Sequence, residues 1–475
     1  MSIANEIIQG QTPDFDEVIR LGETLDDIDE YGFTPLIECA IADRLDVAQL
    51  LLTRGADVNK ADVSGRTALH WAVDNNNLKL THLLLEHRAN PNAYTRAGMP
   101  VLVYPLLRAH TPIKQLLYEY GAKLDFAYDF IYAKLLGHRF SLKGDVDIVN
   151  ADDEFFELDY EGFILEFTVA ILLDTLHRFT SSYSTKRFRA EFPYLYPLMD
   201  AIGIAEELLR FQHFPTLTVR QLKRLETLVR EAPMLVLPAA SRGHAMCFVR
   251  YGEWWAKIDR GENSLKEGSV NIYRITRPQA FNVDFLKAFL YQKQPRSYFH
   301  QRINVLLGLE PVAQLPISSQ TVGNCSWANI QAVVPVARVI QELKQEGQFV
   351  MQPALDLYHA WVEWDKDRAL DECIQRFYQA DVLRRASITA ILGAILFQSC
   401  SDRNEMDLAR AEKILKILTL PEYGYILHSY LQIYCVDRLT RHGNNLLKIL
   451  DDCGVNARID VTPIATGLKE DDSDA

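Results

Sequence analysis

The 475-residue sequence predicts a mainly α, multidomain protein: an N-terminal helical solenoid, a central α+β domain and a C-terminal helical region. Three observations predict it. Residues 1 to about 125 repeat with a period of 33, and self-similarity at such a period marks stacked helical units. A strand–turn–strand pattern interrupts the helical signal at 243–259. Beyond residue 346, apolar residues recur at three- and four-residue spacing, the mark of amphipathic helices. The boundaries read from these shifts are 1–128 for about four repeats, 129–345 for the α+β domain, 346–466 for the helices and 467–475 for an acidic disordered tail.

The repeat is legible at both ends of its unit. Gly32-Phe33-Thr34-Pro35-Leu36 returns as Gly65-Arg66-Thr67-Ala68-Leu69 and as Gly98-Met99-Pro100-Val101-Leu102. Leu50-Leu51-Leu52-Thr53-Arg54-Gly55-Ala56-Asp57-Val58-Asn59 returns at 83–92 and, more weakly, at 116–125, and residues 18–26 fit the end of a degenerate capping unit. The pattern resembles the ankyrin repeat; Arg88 stands where the usual glycine would be, and the Thr-Pro-Leu start is lost in the last unit. No single unit buries its own apolar face, so several stack and leave a concave binding surface. The resemblance implies a docking site for a protein partner, with His70 as a structural histidine in a turn. It also implies that Asn59 and Asn92, at the inter-repeat hairpins, are acceptors for a eukaryotic asparaginyl hydroxylase; the alternative is an asparagine that caps its turn.

From 126 to 237 the pattern is mixed. Residues 145–154 read as an exposed acidic loop, Glu161 to Phe179 as an amphipathic helix, Leu198 to Phe211 as a helix after Pro197, and Thr218 as the start of another. Met234 to Pro238 reads as a short buried strand. Gly243 to Tyr251 reads as a second strand, Gly252-Glu253 as a turn and Trp254 to Asp259 as the returning strand. His244 begins that hairpin and Asp259 ends it, so the carboxylate can orient the imidazole.

The stretch Ser318 to Asn329 leads through a glycine and small polar residues to Cys325, and a largely apolar run follows to Leu343. A cysteine in the first turn of a helix has its thiolate favoured by unpaired backbone N–H groups. Pro335 should kink or break that run, giving two shorter helices. A nucleophile, a base and a group that orients the base form the general triad. The order His244, Asp259, Gln320, Cys325 resembles the adenain/ubiquitin-like-protease class of thiol proteases, which also includes acetyltransferase effectors of pathogenic bacteria. The central domain is on this resemblance papain-like, cysteine-protease-like. It implies Cys325 as nucleophile, His244 as general base, Asp259 as its orienter and Gln320 as oxyanion donor. Gln320 lies five residues before the cysteine, where the class has six or seven, and Asn324-Cys325-Ser326 replaces its usual Asp-Cys-Gly. Glu262 is a substitute for Asp259. The structural alternatives are an inert buried cysteine, a core histidine and a turn aspartate.

Composition narrows the function classes. The net charge of −13 argues against direct nucleic-acid binding over a broad surface. Seven scattered cysteines without a CxxC pair read as reduced thiols rather than a disulfide or zinc framework. The N-terminus has no secretory-signal pattern, and the longest apolar run, 386–397, falls short of a membrane span. No glycine-rich phosphate loop or metal motif is present, so no cofactor is expected.

The C-terminal third reads as helices at 355–364, 367–377, 381–397, 408–418 and 426–439, with a glycine-capped helix ending near Gly454. Ankyrin repeats joined to a thiol-hydrolase-like domain resemble the translocated ankyrin effectors of the Legionella Dot/Icm type. That resemblance implies delivery into a host cell, in the cytosol or nucleus, host-protein binding through the concave surface, and a peptide or isopeptide substrate. Two other functions stay open: a non-catalytic adaptor that sequesters or recruits a host factor, and a Cys-dependent acetyltransferase.

Overall fold

The computed structural model describes residues 3–22, 24–160, 165–213, 216–241, 244–261, 268–319 and 325–456. The acidic tail read at 467–475 lies outside them. The N-terminal repeats are four helix pairs: α1 (Ile3–Ile8) with α2 (Phe15–Arg20), α3 (Pro35–Ala42) with α4 (Leu45–Thr53), α5 (Ala68–Asp74) with α6 (Leu78–Glu86), and α7 (Val103–Leu107) with α8 (Thr111–Glu119).

The period of 33 is written into the backbone. Left-handed residues recur at Asp43, Asn76 and Ala109 inside the second, third and fourth pairs and at Gly55, Arg88 and Gly121 after them. Arg88 therefore keeps the conformation of the glycine it replaces, with φ +68°. At Gly65 the chain needs glycine twice over, since φ is +85° and a Cβ would come within 2.7 Å of the Arg96 backbone nitrogen in the next hairpin. Asn59 and Asn92 tie neighbouring hairpins together. Asn59 donates from Nδ2 to the Arg88 carbonyl at 3.2 Å and accepts at Oδ1 from the Asn90 N–H at 2.7 Å. Asn92 does the same with the Gly121 carbonyl at 3.1 Å and the Lys123 N–H at 2.7 Å.

Among the described residues, seven strands form two sheets. Strands β1 (Asp145–Val149) and β2 (Phe155–Asp159) make an antiparallel pair. Strands β3 (Met234–Ser241), β4 (His244–Tyr251), β5 (Trp254–Ile258), β6 (Val270–Ile275) and β7 (Leu309–Leu315) make an antiparallel sheet in sequence order. The protein is thus mainly helical, with N-terminal repeats and a central mixed region built on a five-stranded sheet. On one face of that sheet, Met246, Phe248 and Trp255 join Phe281, Phe285, Phe289 and Phe299 in an aromatic core. Cys247 and Val249 alternate to the other face, as strand period dictates.

Packing divides the chain into two compact units, Met1–Phe130 with Gly162–Glu363, and Ile131–Glu161 with Trp364–Ala475. These divisions fall elsewhere than the boundaries read at 128/129 and 345/346. In the first unit an ionic cluster joins the repeats to the central helices: Arg66 and Arg108 both pair with the fully buried Asp74, and Arg108 also pairs with Glu206. In the second, Arg139 pairs with Asp365, and Arg368 reaches Asp365 at 2.8 Å and Glu372 at 2.9 Å.

Three local readings are corrected. The loop expected at 145–154 contains β1, because Val146 and Ile148 alternate inward between aspartates; Asn150 makes the turn that follows by accepting the N–H groups of Asp152 and Glu154. The helix expected from Leu198 begins at Phe192, with Pro193 in its first turn and Pro197 inside it. The helices expected at 355–364 and 367–377 are one, Gln352–Gln379, since no glycine or proline separates them. By contrast the run after Cys325 does break, into Cys325–Gln331 and Val333–Glu346, and Pro335 sits in the second helix's first turn, where its missing N–H costs no bond.

Candidate active site

His244 is the first residue of β4, opposite Ser241 of β3. Asp259 immediately follows β5, whose Ile258 stands opposite Cys247. The ends of the hairpin therefore converge, and His244 Nε2 lies 2.8 Å from Asp259 Oδ1. The helix Cys325–Gln331 packs against β4. Its first residue, Cys325, receives the Ala245 backbone N–H at 3.4 Å on Sγ and lies close enough to the His244 side chain for each to shift the other's proton affinity. Since Nε2 of His244 is committed to Asp259, Nδ1 is the nitrogen left to serve the thiol. The structure thus brings three of the four expected catalytic residues together. Gln320 and the substitute Glu262 lie outside the described residues.

The electrostatics follow from these bonds. Asp259 is only 2% exposed, and burial opposes its charge; the hydrogen bond and charge of His244, the Gly261 N–H and the charge of His300 outweigh burial and hold the carboxyl below its ordinary range. The hydrogen bonds to Asp259 and then Cys325 push the His244 imidazole up to about 9 despite partial burial. Burial also works against the Cys325 thiolate, but His244 and the N–H groups of Ala245 and Ser326 lower the thiol from its usual value. The two shifts run in the directions that favour a thiolate–imidazolium pair. At Cys39, Cys247 and Cys400 burial is not outweighed, and the thiols are all pushed up.

Residues without a sequence signal complete the site. Asn329 is fully buried one turn after Cys325; its Nδ2 donates to the Ala245 carbonyl at 2.7 Å and its Oδ1 accepts the Arg260 N–H at 2.8 Å. One side chain so fastens the helix of Cys325 to the chain at both His244 and Asp259. The Arg260 guanidinium adds bonds to the carbonyls of Ser318 at 2.9 Å and Ala328 at 3.1 Å. Gly261 packs on the imidazole so closely that a Cβ would sit 2.4 Å from His244 Cε1. Only the four-residue spacing of Asn329 from Cys325, one helical face, could have pointed to any of them. His70 plays no part here: its Nδ1 meets the Thr67 N–H at 3.1 Å, and burial lowers it to about 3.

Among the described residues, no cluster of three or more His, Cys, Asp and Glu side chains could hold a metal ion, and no helix is long and apolar enough to cross a membrane.

Residues 36–85 match the family described as ankyrin repeats (many copies). Human inversin is 56% identical over 62 residues, 13% of this chain and 6% of inversin. Human ankyrin repeat domain-containing protein 13B is 32% identical over 109 residues, 22% of this chain and 17% of that protein. The chain therefore spans a small fraction of these curated relatives, and the likeness to them is confined to the repeats. The solved structure of the Legionella effector AnkH is of another order: it shares 66% identity and superposes with a TM-score of 0.94 over 98% of this chain and 100% of that one. Likeness at that level, running through the repeats, the five-stranded sheet and the helices alike, places this chain in the family of the Legionella effector AnkH.

Proposed function

We propose that this protein is a translocated effector that docks a host protein on its ankyrin repeats and acts through a papain-like thiol site. Cys325 is the nucleophile, His244 the general base and acid, and Asp259 the group that orients the imidazole. The observation that carries this reading is the Asp259–His244–Cys325 chain, with its 2.8 Å carboxylate–imidazole bond and its lowered thiol.

The chemistry is acyl transfer. The thiolate attacks the carbonyl of a peptide or isopeptide bond. The imidazolium gives its proton to the leaving amine, and the neutral imidazole then takes a proton from the water that cleaves the thioester. Gln320 is proposed as an oxyanion donor from class resemblance alone. Docking is supported by a cleft of about 1030 Å³ within the first unit, lined by Asp43, Asn76 and His110 of the repeats and by Arg210, Arg220 and Lys223 of the central helices. The family name and the docking surface equally support an adaptor whose thiol site is silent. Asn59 and Asn92 are proposed as hydroxylation sites on the ankyrin resemblance.

The test is alkylation of Cys325 by limiting iodoacetamide between roughly pH 5 and 9, followed by peptide mass spectrometry. The expected result is labelling of Cys325 ahead of the six other cysteines below neutral pH, with that advantage abolished in His244→Ala. Equal, slow labelling in both proteins returns the function to the adaptor. Dependence of turnover on acetyl-CoA would instead identify an acetyltransferase.

A further inference from the structure

Asp259 serves two imidazoles. Its Oδ1 takes His244, and its Oδ2 faces His300 Nε2 at 3.3 Å. His300 comes from a different element, the π-helical turn Tyr298–Arg302, whose Tyr298 and Phe299 are set in the aromatic core. Behind it lies Lys257, 2% exposed, with Nζ 3.0 Å from His300 Nδ1. Trp255 and Lys257 alternate along β5 and Asp259 follows at the same two-residue spacing, so all three address the face of the sheet where His300 lies.

The Lys257 contact fixes the ring. An ammonium only donates, so Nδ1 of His300 is the acceptor in that contact, and the neutral form of the ring carries its proton on Nε2. Nε2 lies at ion-pair distance from Asp259 Oδ2, 3.3 Å, without hydrogen-bond geometry. The carboxylate therefore meets an imidazole on each oxygen: His244 by a hydrogen bond to Oδ1 and His300 by an ionic contact at Oδ2. The charged and polar groups that meet the carboxylate are His244 from β4, His300 from the π turn and the Gly261 N–H from its own loop; Arg260 turns away to the Ser318 and Ala328 carbonyls. A π turn is an uncommon geometry, found often at functional sites, and here it delivers the second imidazole.

We propose that His300, with Lys257 behind it, is a positioning residue of the thiol site: it clamps the second oxygen of Asp259 and so sets the rotamer and tautomer of His244. This rests on the Cys325–His244 reading above. It adds that the orienting group is a His–Asp pair locked by a buried lysine, rather than a lone aspartate.

The experiment is the Cys325 alkylation profile in His300→Phe and His300→Gln, with His244→Ala alongside. Phenylalanine keeps a ring but loses the Lys257 hydrogen bond and the polar contact with Asp259; glutamine can accept from Lys257 and donate to Asp259. The expected result is a midpoint for Cys325 reactivity about one pH unit higher in His300→Phe, hence roughly tenfold slower labelling at pH 6, and recovery in His300→Gln. A folded His300→Phe protein with the wild-type profile overturns the proposal, while the effect of His244→Ala reports separately on the underlying pair. If His300→Phe does not fold, nitrogen-15 spectra of histidine-labelled wild type decide: a His300 ring protonated on Nε2 alone from pH 6 to 8 supports the clamp, and any other tautomer overturns it.

Discussion

At Gly261 one hydrogen atom separates a seated imidazole from a displaced one. The residue's N–H binds Asp259 Oδ1 at 3.1 Å, and its Cα lies against the His244 ring. In Gly261→Ala the added methyl must push the ring away, because a Cβ there would sit 2.4 Å from His244 Cε1 and 3.2 Å from Asp259 Oδ1. Labelling of Cys325 near pH 6 is expected to fall by about tenfold to a hundredfold, the scale of a misplaced catalytic group. Labelling unchanged from wild type would show that the ring is not held where the geometry puts it. This residue also marks the limit of sequence reading. Cys325, His244 and Asp259 were legible because each stands at the end of an element with a recognisable pattern. Asn329, His300 and Lys257 were not, since each acts on a partner far along the chain, and a buried asparagine or lysine has no local signature.

Elements were legible where a single period or turn signal governed them. The β4–β5 hairpin follows from two alternating runs around Gly252-Glu253, and Tyr251 does pair with Trp254. Strand β1 was missed because its aspartates read as a solvated loop although Val146 and Ile148 face inward. The inter-repeat hairpins behave as elements too, and their asparagines couple one to the next. With both ends of the Asn59 and Asn92 amides bonded across the repeats, a hydroxylase must first part neighbouring hairpins. Co-expression with a eukaryotic asparaginyl hydroxylase is expected to give partial one-oxygen mass shifts on both peptides. Modification should rise when the solenoid is loosened by mild denaturant. Peptides that stay unshifted under both conditions would remove the modification from consideration.

For the whole molecule, the repeats and the site-bearing sheet share one packed unit rather than two beads on a string. Arg108 is the joint: it pairs with the buried Asp74 of the repeats and with Glu206 of the central helices. Arg108→Ala leaves Asp74 with Arg66 alone, and breaking such a buried network costs about 3–5 kcal/mol. Denaturation followed by repeat-directed and sheet-directed probes is expected to show both midpoints falling together. A fall confined to the repeats would mean that the two parts fold independently. Sequence boundaries could not reveal this union, because composition shifts mark where a pattern changes and not what it packs against.

The order of the site along the chain has a consequence in time. The repeats come first, then His244, Lys257, Asp259 and His300, and the thiol of Cys325 comes after all of them. On the proposed reading, a ribosome therefore releases the base and the carboxylate that orients it before the nucleophile exists, and the Cys325–His244 pair forms only when the helix bearing Cys325 and Asn329 packs onto β4.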